Sequence, residues 1–431
     1  MSAARRRSGG TRTPPAASSG AAHESYQAAG ADVRFVYDPA LAGYELSPDH
    51  PFRPERLELT RTLLEACDVL PEAAMAGVDP LTERELARIH ATTYIDVVRR
   101  ASRGEGLDEA FAFGLGTGDN PVFAGMHEAV LGVCAATVTA VELVASGAAQ
   151  RAASFAGGLH HAQRAKASGF CVYNDLALGI RRAVDEHDMR VVYIDLDVHH
   201  GDGVQWLFYD TPSVMTISLH ESGRYLFPGT GHTYETGRGP GRGTSVNMPL
   251  EPFTEDASFL ESFDIVVPRA VAAFRPDLIV LQAGADMHRN DPLADLSLSL
   301  AALGAAYHRV VELSERHTQG RLVATGGGGY DPFRTAPRAW ALLWAAMTGR
   351  ELPEQVPEPW RRRWAEVSPV VLPERMVDDP SAWEPVPRRD TVSSHNRVVA
   401  ERLMEVLEEI WQTGAVTGEP YRAAKDREGP A

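Results

Sequence analysis

At 431 residues the chain is long enough for one large α/β domain or two smaller ones around a substantial core. Its hydrophobic content of 44% and charged content of 23% are those of an ordinary soluble protein. The formal net charge of −16 argues against generic nucleic-acid binding, leaves room for a local basic patch, and suits basic partners such as lysine-rich protein segments.

Residues 1–30 are rich in Ala, Ser, Gly and Arg and lack the apolar core of a secretory signal, so a disordered tail is expected there. Runs compatible with strands follow at 33–37, 153–156, 191–196, 214–219, 278–282 and 322–324. Helix-like stretches lie at 56–67, 125–146, 175–186, 256–274 and 298–315. This alternation predicts an α/β fold, a single large domain over about 31–350 whose parallel β-sheet is flanked by helices. The segment 221–247, with FPGTG and GRGPGRG, holds too much glycine and proline for regular structure and reads as a loop at the site rim. Beyond 350 comes an extension with an amphipathic, acidic helix near 398–412, which packs either on the main domain or on another subunit. No run approaches the ~20 apolar residues of a membrane span, so no membrane partner is expected. Cys67, Cys134 and Cys171 show no CxxC spacing, which fits a reducing cytoplasm and suggests neither a disulfide framework nor a thiolate metal site.

Chemistry concentrates where the apolar runs end. VVYIDLDVHHGDG at 191–203 finishes in Asp195, Asp197, His199, His200 and Asp202. Residues two apart on a strand face the same way, so Asp197 and His199 would offer a carboxylate and an imidazole to one point. FAGGLHHA brings His160 and His161, LIVLQAGAD brings Asp286, and LVATGGGGY brings four glycines and Tyr330. In open parallel sheets ligands bind outside the carboxyl ends of the strands, where these four segments would converge. Asp197, His199 and Asp286 form an oxygen-rich set with one nitrogen that accepts zinc or ferrous iron. His160, His161, Asp195 and Asp202 then remain as paired His and Asp dyads, suited to moving protons during attack and departure of an amine. Tyr330 would donate to a developing oxyanion. Neither GGGGY nor GLGTGDN has the pattern of a phosphate-binding loop.

These residues resemble the histone deacetylase superfamily, and most closely its bacterial acetoin utilization (AcuC) branch. The matching segments are HPFRPERLELT at 50–60, GLGTGDNPVFAGMHEA at 114–129, GGLHHAQRAKASGFCVYND at 157–175, IDLDVHHGDGVQ at 194–205, SLH with FPGTG at 218–231, GADMHRNDPL at 284–293 and GGGGYDPFRTAPRAW at 326–340. The resemblance implies an arginase/deacetylase-like fold and hydrolysis of acetyl-lysine to lysine and acetate. By position it implies Asp197, His199 and Asp286 as zinc ligands. His160 and His161 match the catalytic histidines, paired with Asp195 and Asp202 respectively, with His161 the main acid-base and Tyr330 the carbonyl-polarising group. Gly169, Phe170 and Phe227 match the acyl-lysine tunnel, with Leu293 and Gly328 also at the substrate. Asp119 matches the rim carboxylate and Arg56 the arginine of an internal acetate channel. Potassium is implied at Asp195, Asp197, His199, Ser218 and Leu219, and at a second site by Phe208, Thr211 and Val214. Leu226, His232 and Asp331 depart from the family pattern, which bears on rim shape and substrate preference.

The leading expectation is a zinc-dependent protein lysine deacetylase, with acetyl-CoA synthetase as the partner suggested by the AcuC resemblance. The alternatives are an acetylpolyamine or other small-molecule amidohydrolase, an arginase-like ureohydrolase, whose second-metal spacing GADMHRNDP lacks, and a non-catalytic acetyl-lysine binder.

Overall fold

β-branched and apolar runs with turn residues at their ends become short strands, and the amphipathic stretches between them become the covering helices. The computed structural model describes residues 31–413, so the 1–30 segment lies outside the described residues. The strands are β1 (Val33–Val36), β2 (Met75–Ala76), β3 (Arg151–Ser154), β4 (Val191–Asp195), β5 (Val214–Glu221), β6 (Ser245–Leu250), β7 (Leu278–Gln282) and β8 (Leu322–Thr325). They form one sheet in the order β2-β1-β3-β8-β7-β4-β5-β6, and every pairing is parallel. The central strands are buried at every position, which is why they read as continuous apolar runs rather than alternating ones.

Register sets up the site. Asp195 lies opposite Gln282 on one side and Ser218 on the other, and Gln282 lies opposite Thr325. The carboxyl ends of β4, β7 and β8 are therefore level, β5 runs on beside them to Glu221, and the segments after β4, β7 and β8 emerge side by side.

Several expectations need adjustment. β3 starts two residues before the expected run, where Arg151 and Ala152 pair with β1 and β8, and ends two residues before it, where Phe155 leaves the sheet to stack on Trp340 with ring centroids 5.5 Å apart and planes 4° from parallel. β6 begins inside the stretch read as loop; it is an edge strand, where Pro249 is tolerated. One helix, Met126–Ala145, does have the length and apolar composition of a membrane span, contrary to the sequence reading. Its Val130, Cys134, Ala140 and Val141 are fully buried, and it packs against β1, β3, β8 and the helix Asp175–His187 as a core element.

The C-terminal helix runs Arg389–Gln412 and packs on its own chain, against the helix Asp256–Phe274 and β6. Buried Asn396 fixes it there. Its Nδ2 donates to Thr254 Oγ1 at 2.8 Å and Ser258 Oγ at 3.0 Å, and its Oδ1 accepts from Glu251 N at 3.0 Å. Trp411 Nε1 adds a bond to Gly243 O at 2.9 Å.

Candidate active site and metal centre

Asp197, His199 and Asp286 converge, with one potential ligand atom of each lying within 4.8 Å of the others. Alternation along a strand does not achieve this, because β4 stops at Asp195. Consecutive side-chain-to-backbone turns do it instead: Asp197 N donates to Asp195 Oδ1 at 3.0 Å, and His199 N donates to Asp197 Oδ1 at 3.0 Å. Asp286, just past β7, is drawn in by Val198 N at 2.9 Å. His199 Nδ1 lies 3.1 Å from Asp197 Oδ1 and 3.2 Å from Asp286 Oδ2.

All three side chains are buried, and two carboxylates share one imidazole. Burial and the neighbouring Asp197 charge push Asp286 up to about 8. For Asp197 burial acts upward, but the His160 and His199 imidazoles outweigh it and the net shift is downward. His199 resists burial through its carboxylate partners and rises to about 10. Two buried acids that cannot both stay charged without compensation, around a nitrogen donor, fit a divalent cation.

Beside this group stand the two dyads. His160 Nδ1 is 2.8 Å from Asp195 Oδ2, and His161 Nδ1 is 2.7 Å from Asp202 Oδ1. The two Nε2 atoms are 3.0 Å apart, a contact that requires one donor and one acceptor. Burial lowers both histidines, but Asp195 and Asp197 lift His160 to about 9, while the adjacent His160 helps hold His161 down at about 4. We therefore assign the shared proton to His160 Nε2, with the unprotonated His161 Nε2 as its acceptor.

The walls are built from the remaining segments. Gly169 and Phe170 take consecutive left-handed conformations, with φ of 52° and 68°. A Cβ on Gly169 would lie 2.4 Å from His161 Cδ2 and 2.8 Å from Phe227 Cε1, so only a residue without a side chain fits between them. Phe227 is 43% exposed, with its ring centroid 4.9 Å from that of His161. Half-buried Tyr330 stands edge-on to His199 at 6.3 Å and to Phe170 at 5.7 Å. Gly328 N donates to Asp197 Oδ2 at 2.7 Å, so this glycine holds a candidate ligand. Buried Arg56 donates to Gly327 O at 3.0 Å and Gly329 O at 2.9 Å, clamping the glycine run from below.

Asp119 is exposed on the loop after Leu115, and its charge acts on His50, whose ring packs on Phe170. Leu293 is half-buried, with its N bonded to Asp291 Oδ1 at 3.0 Å. Ser218 and Leu219 lie in β5 next to Asp195. Phe208, Thr211 and Val214 lie in and beside one turn, through Thr211 N to Phe208 O at 2.9 Å and Val214 N to Thr211 O at 3.4 Å. Of the departures, His232 stacks on Tyr234, and Asp331 accepts from Arg334 N at 3.2 Å.

Several supporting groups escape a reading of the sequence. Gln282 Nε2 donates to Asp197 Oδ2 at 2.6 Å, Tyr193 OH to Asp195 Oδ2 at 2.6 Å, and Gln163 Nε2 to Asp202 Oδ2 at 2.8 Å. Asp291 Oδ2 accepts from Tyr330 N at 2.8 Å. Asp175 accepts from Gly158 N and Leu159 N at 3.0 and 2.7 Å, fixing the chain that presents both histidines. A polar residue interrupting or ending an apolar strand, as Tyr193 and Gln282 do, is the signal that could find them.

Comparison with known proteins agrees with this geometry. Residues 50–347 match the histone deacetylase domain. The chain is 41% identical over 384 residues to the acetoin utilization protein AcuC of Bacillus subtilis (strain 168), covering 89% of this chain and 99% of the relative. It is 38% identical to AcuC of Staphylococcus aureus (strain MRSA252) over 85% of this chain and 95% of that one. The crystal structure of an HDAC homologue from Aquifex aeolicus superposes with a TM-score of 0.75 at 31% identity, covering 85% of this chain and 99% of that one. A structure of an HDAC homologue complexed with SAHA gives the same values. The chain belongs to the histone deacetylase family, on its acetoin utilization branch, and is a deacetylase-type hydrolase.

Proposed function

We propose that this protein is a zinc-dependent protein lysine deacetylase that hydrolyses acetyl-lysine to lysine and acetate. The observation that carries the reading is the pair of buried His and Asp dyads beside the Asp197, His199 and Asp286 group. A bound cation supplies Lewis-acid polarisation of the amide carbonyl.

The chain's residues do the rest. His161 Nε2 removes a proton from the attacking water and passes one to the departing lysine amine, while Asp202 holds its tautomer. His160, kept cationic by Asp195 and Asp197, adds fixed positive charge beside the reacting carbonyl. The Tyr330 hydroxyl stays protonated, because burial and the nearby Asp286 and Asp197 raise its pKa, and so it donates to the oxygen on which charge develops. Gly169, Phe170 and Phe227 enclose the acyl-lysine stem, with Leu293 at the mouth. Asp119 holds the substrate backbone, and Arg56 attracts the acetate product.

Zinc is the metal assigned, with ferrous iron an acceptable substitute for this donor set. Potassium at Asp195, Asp197, His199, Ser218 and Leu219, and at Phe208, Thr211 and Val214, has a structural role. The names of the relatives link them to acetoin utilization, and we assign an acetylated cytoplasmic enzyme of that metabolism, acetyl-CoA synthetase, as the protein target.

The test is acetate release from an acetyl-lysine peptide and from N-acetylputrescine in parallel. Hydrolysis of the peptide supports a protein deacetylase, and hydrolysis of the polyamine alone overturns that reading in favour of a small-molecule amidohydrolase.

A further inference from the structure

A groove of about 440 Å³ lies between the loop 222–234 and the C-terminal helix Arg389–Gln412. His395, Val399, Arg402 and Val406 line it from the helix at spacings of four, three and four, a single stripe. Arg224, His232 and Tyr234 line it from the loop. Tyr234 is 75% exposed and Val406 49%, so apolar surface stands open along it. Among the described residues neither Arg224 nor Arg402 has an ion-pair partner. Glu251, the one acidic group lining the groove, lies 3.5 Å from His395 Nε2. In a protein of net charge −16 this is a locally basic, aromatic-edged channel.

Arg224, on the loop wall of the groove, is three residues from Phe227, a separation of at most about 10 Å along the backbone, and Phe227 packs on His161. A polypeptide whose acetylated side chain passes Phe227 would lay its flank across Arg224 and towards Arg402.

We propose that this groove is a specificity subsite that receives an acidic, extended segment flanking the acetyl-lysine of the protein substrate. The proposal rests on the deacetylase reading above and adds the substrate's charge pattern to it. Arg224 and Arg402 supply the attraction, and Tyr234 with Val406 covers the apolar parts of the segment. Contacts of this exposed kind are worth a few-fold each and weaken with salt.

The experiment compares kcat/KM for acetyl-lysine peptides carrying Asp and Glu on the amino or the carboxyl side with that for matched Asn and Gln peptides. The double variant Arg224→Glu, Arg402→Glu, the conservative Arg224→Lys, Arg402→Lys, and a flankless acetyl-lysine amide complete the set. The expected result is a preference of roughly tenfold for one acidic peptide, expressed in KM, lost in the Glu variant, kept in the Lys variant and abolished in 0.5 M salt. Turnover of the flankless amide stays within about twofold in both variants. Equal rates on acidic and neutral peptides, or a preference that survives the charge reversal, overturns the subsite while leaving the deacetylase reading intact. Failure of the wild-type protein to hydrolyse either the amide or any peptide overturns both.

Discussion

Replacing Gly328 by alanine tests the metal centre by geometry alone. Gly328 does not occupy the left-handed region, so its backbone accepts alanine without strain. The added Cβ would nevertheless lie 1.8 Å from Asp286 Oδ2, 2.6 Å from its Cγ and 3.0 Å from Asp197 Oδ2. Restoring even a 3.0 Å contact moves Asp286 Oδ2 by about 1.2 Å, several times the ~0.2 Å tolerance of a metal–ligand distance. Asp286 is fully buried with Val198 N on its other oxygen, so it has little room to retreat. A displacement of about 1 Å at a reacting centre costs on the order of 100-fold, or about 2.7 kcal/mol. We expect Gly328→Ala to lose bound zinc and at least ~100-fold in acetate release while keeping its far-UV spectrum. Gly77→Ala, with no atom within 4 Å of the added carbon, serves as the unaffected control. Full zinc stoichiometry with near-normal turnover in Gly328→Ala would refute the placement of Asp286 as a ligand.

Tyr330→Phe and His161→Ala should each lower turnover by at least ~100-fold, with thermal unfolding showing that both variants remain folded; near-normal rates in both would remove the assigned proton and hydrogen-bond roles. Chelation should lower the melting temperature as well as activity, because the cation stabilises only the folded state, by about 4 kcal/mol at a thousandfold excess over Kd; zinc should restore both, and a melting temperature indifferent to metal would count against the site. Asp378 concerns acid stability. It accepts from His288 Nε2 at 2.9 Å and Leu300 N at 3.0 Å and pairs with Arg338 Nη2 at 3.1 Å. Burial alone would raise its pKa, but His288 and Arg338 outweigh it and hold it at about 2, below the ordinary 3.8. A depressed carboxylate stabilises the fold above pH 3.8 and loses that contribution as pH falls through about 2, so ~1–2 kcal/mol should disappear across that window. Denaturant titrations of wild type and Asp378→Asn should differ at neutral pH and converge at pH 2; a constant difference would contradict the assignment. Asn396→Ala strands Glu251 N and the Ser258 hydroxyl and removes a donor from Thr254 Oγ1, and should cost ~1–3 kcal/mol in the same titration.

The features legible in the amino-acid sequence are local ones. Apolar runs such as 278–282 form β7 without adjustment, because strands buried on both faces write themselves as unbroken apolar stretches. Asp197, His199, Asp286, the two histidines and Tyr330 are legible because ionisable or reactive groups at the ends of such runs are costly without a function. The route by which Asp197 and His199 meet is not, since it depends on side-chain-to-backbone turns beyond the end of β4. Gln163 and Asp291 go unnoticed because each supports a residue far along the chain and nothing in its own neighbourhood marks it, whereas Gln282 is marked only by ending an apolar strand. β6 is hidden by the glycines and prolines preceding it. The attachment of the helix Arg389–Gln412 rests on Asn396 and Trp411, two residues whose partners are more than a hundred positions away.

The most direct test of the central claim is a titration of metal-stripped protein with zinc, following lysine and acetate freed from an acetyl-lysine peptide. The account predicts equal amounts of the two products and turnover that rises from background to a plateau at one zinc per chain. Turnover independent of added metal, or a plateau reached only at two per chain, would contradict a single Asp197, His199 and Asp286 centre acting with the His160 and His161 dyads.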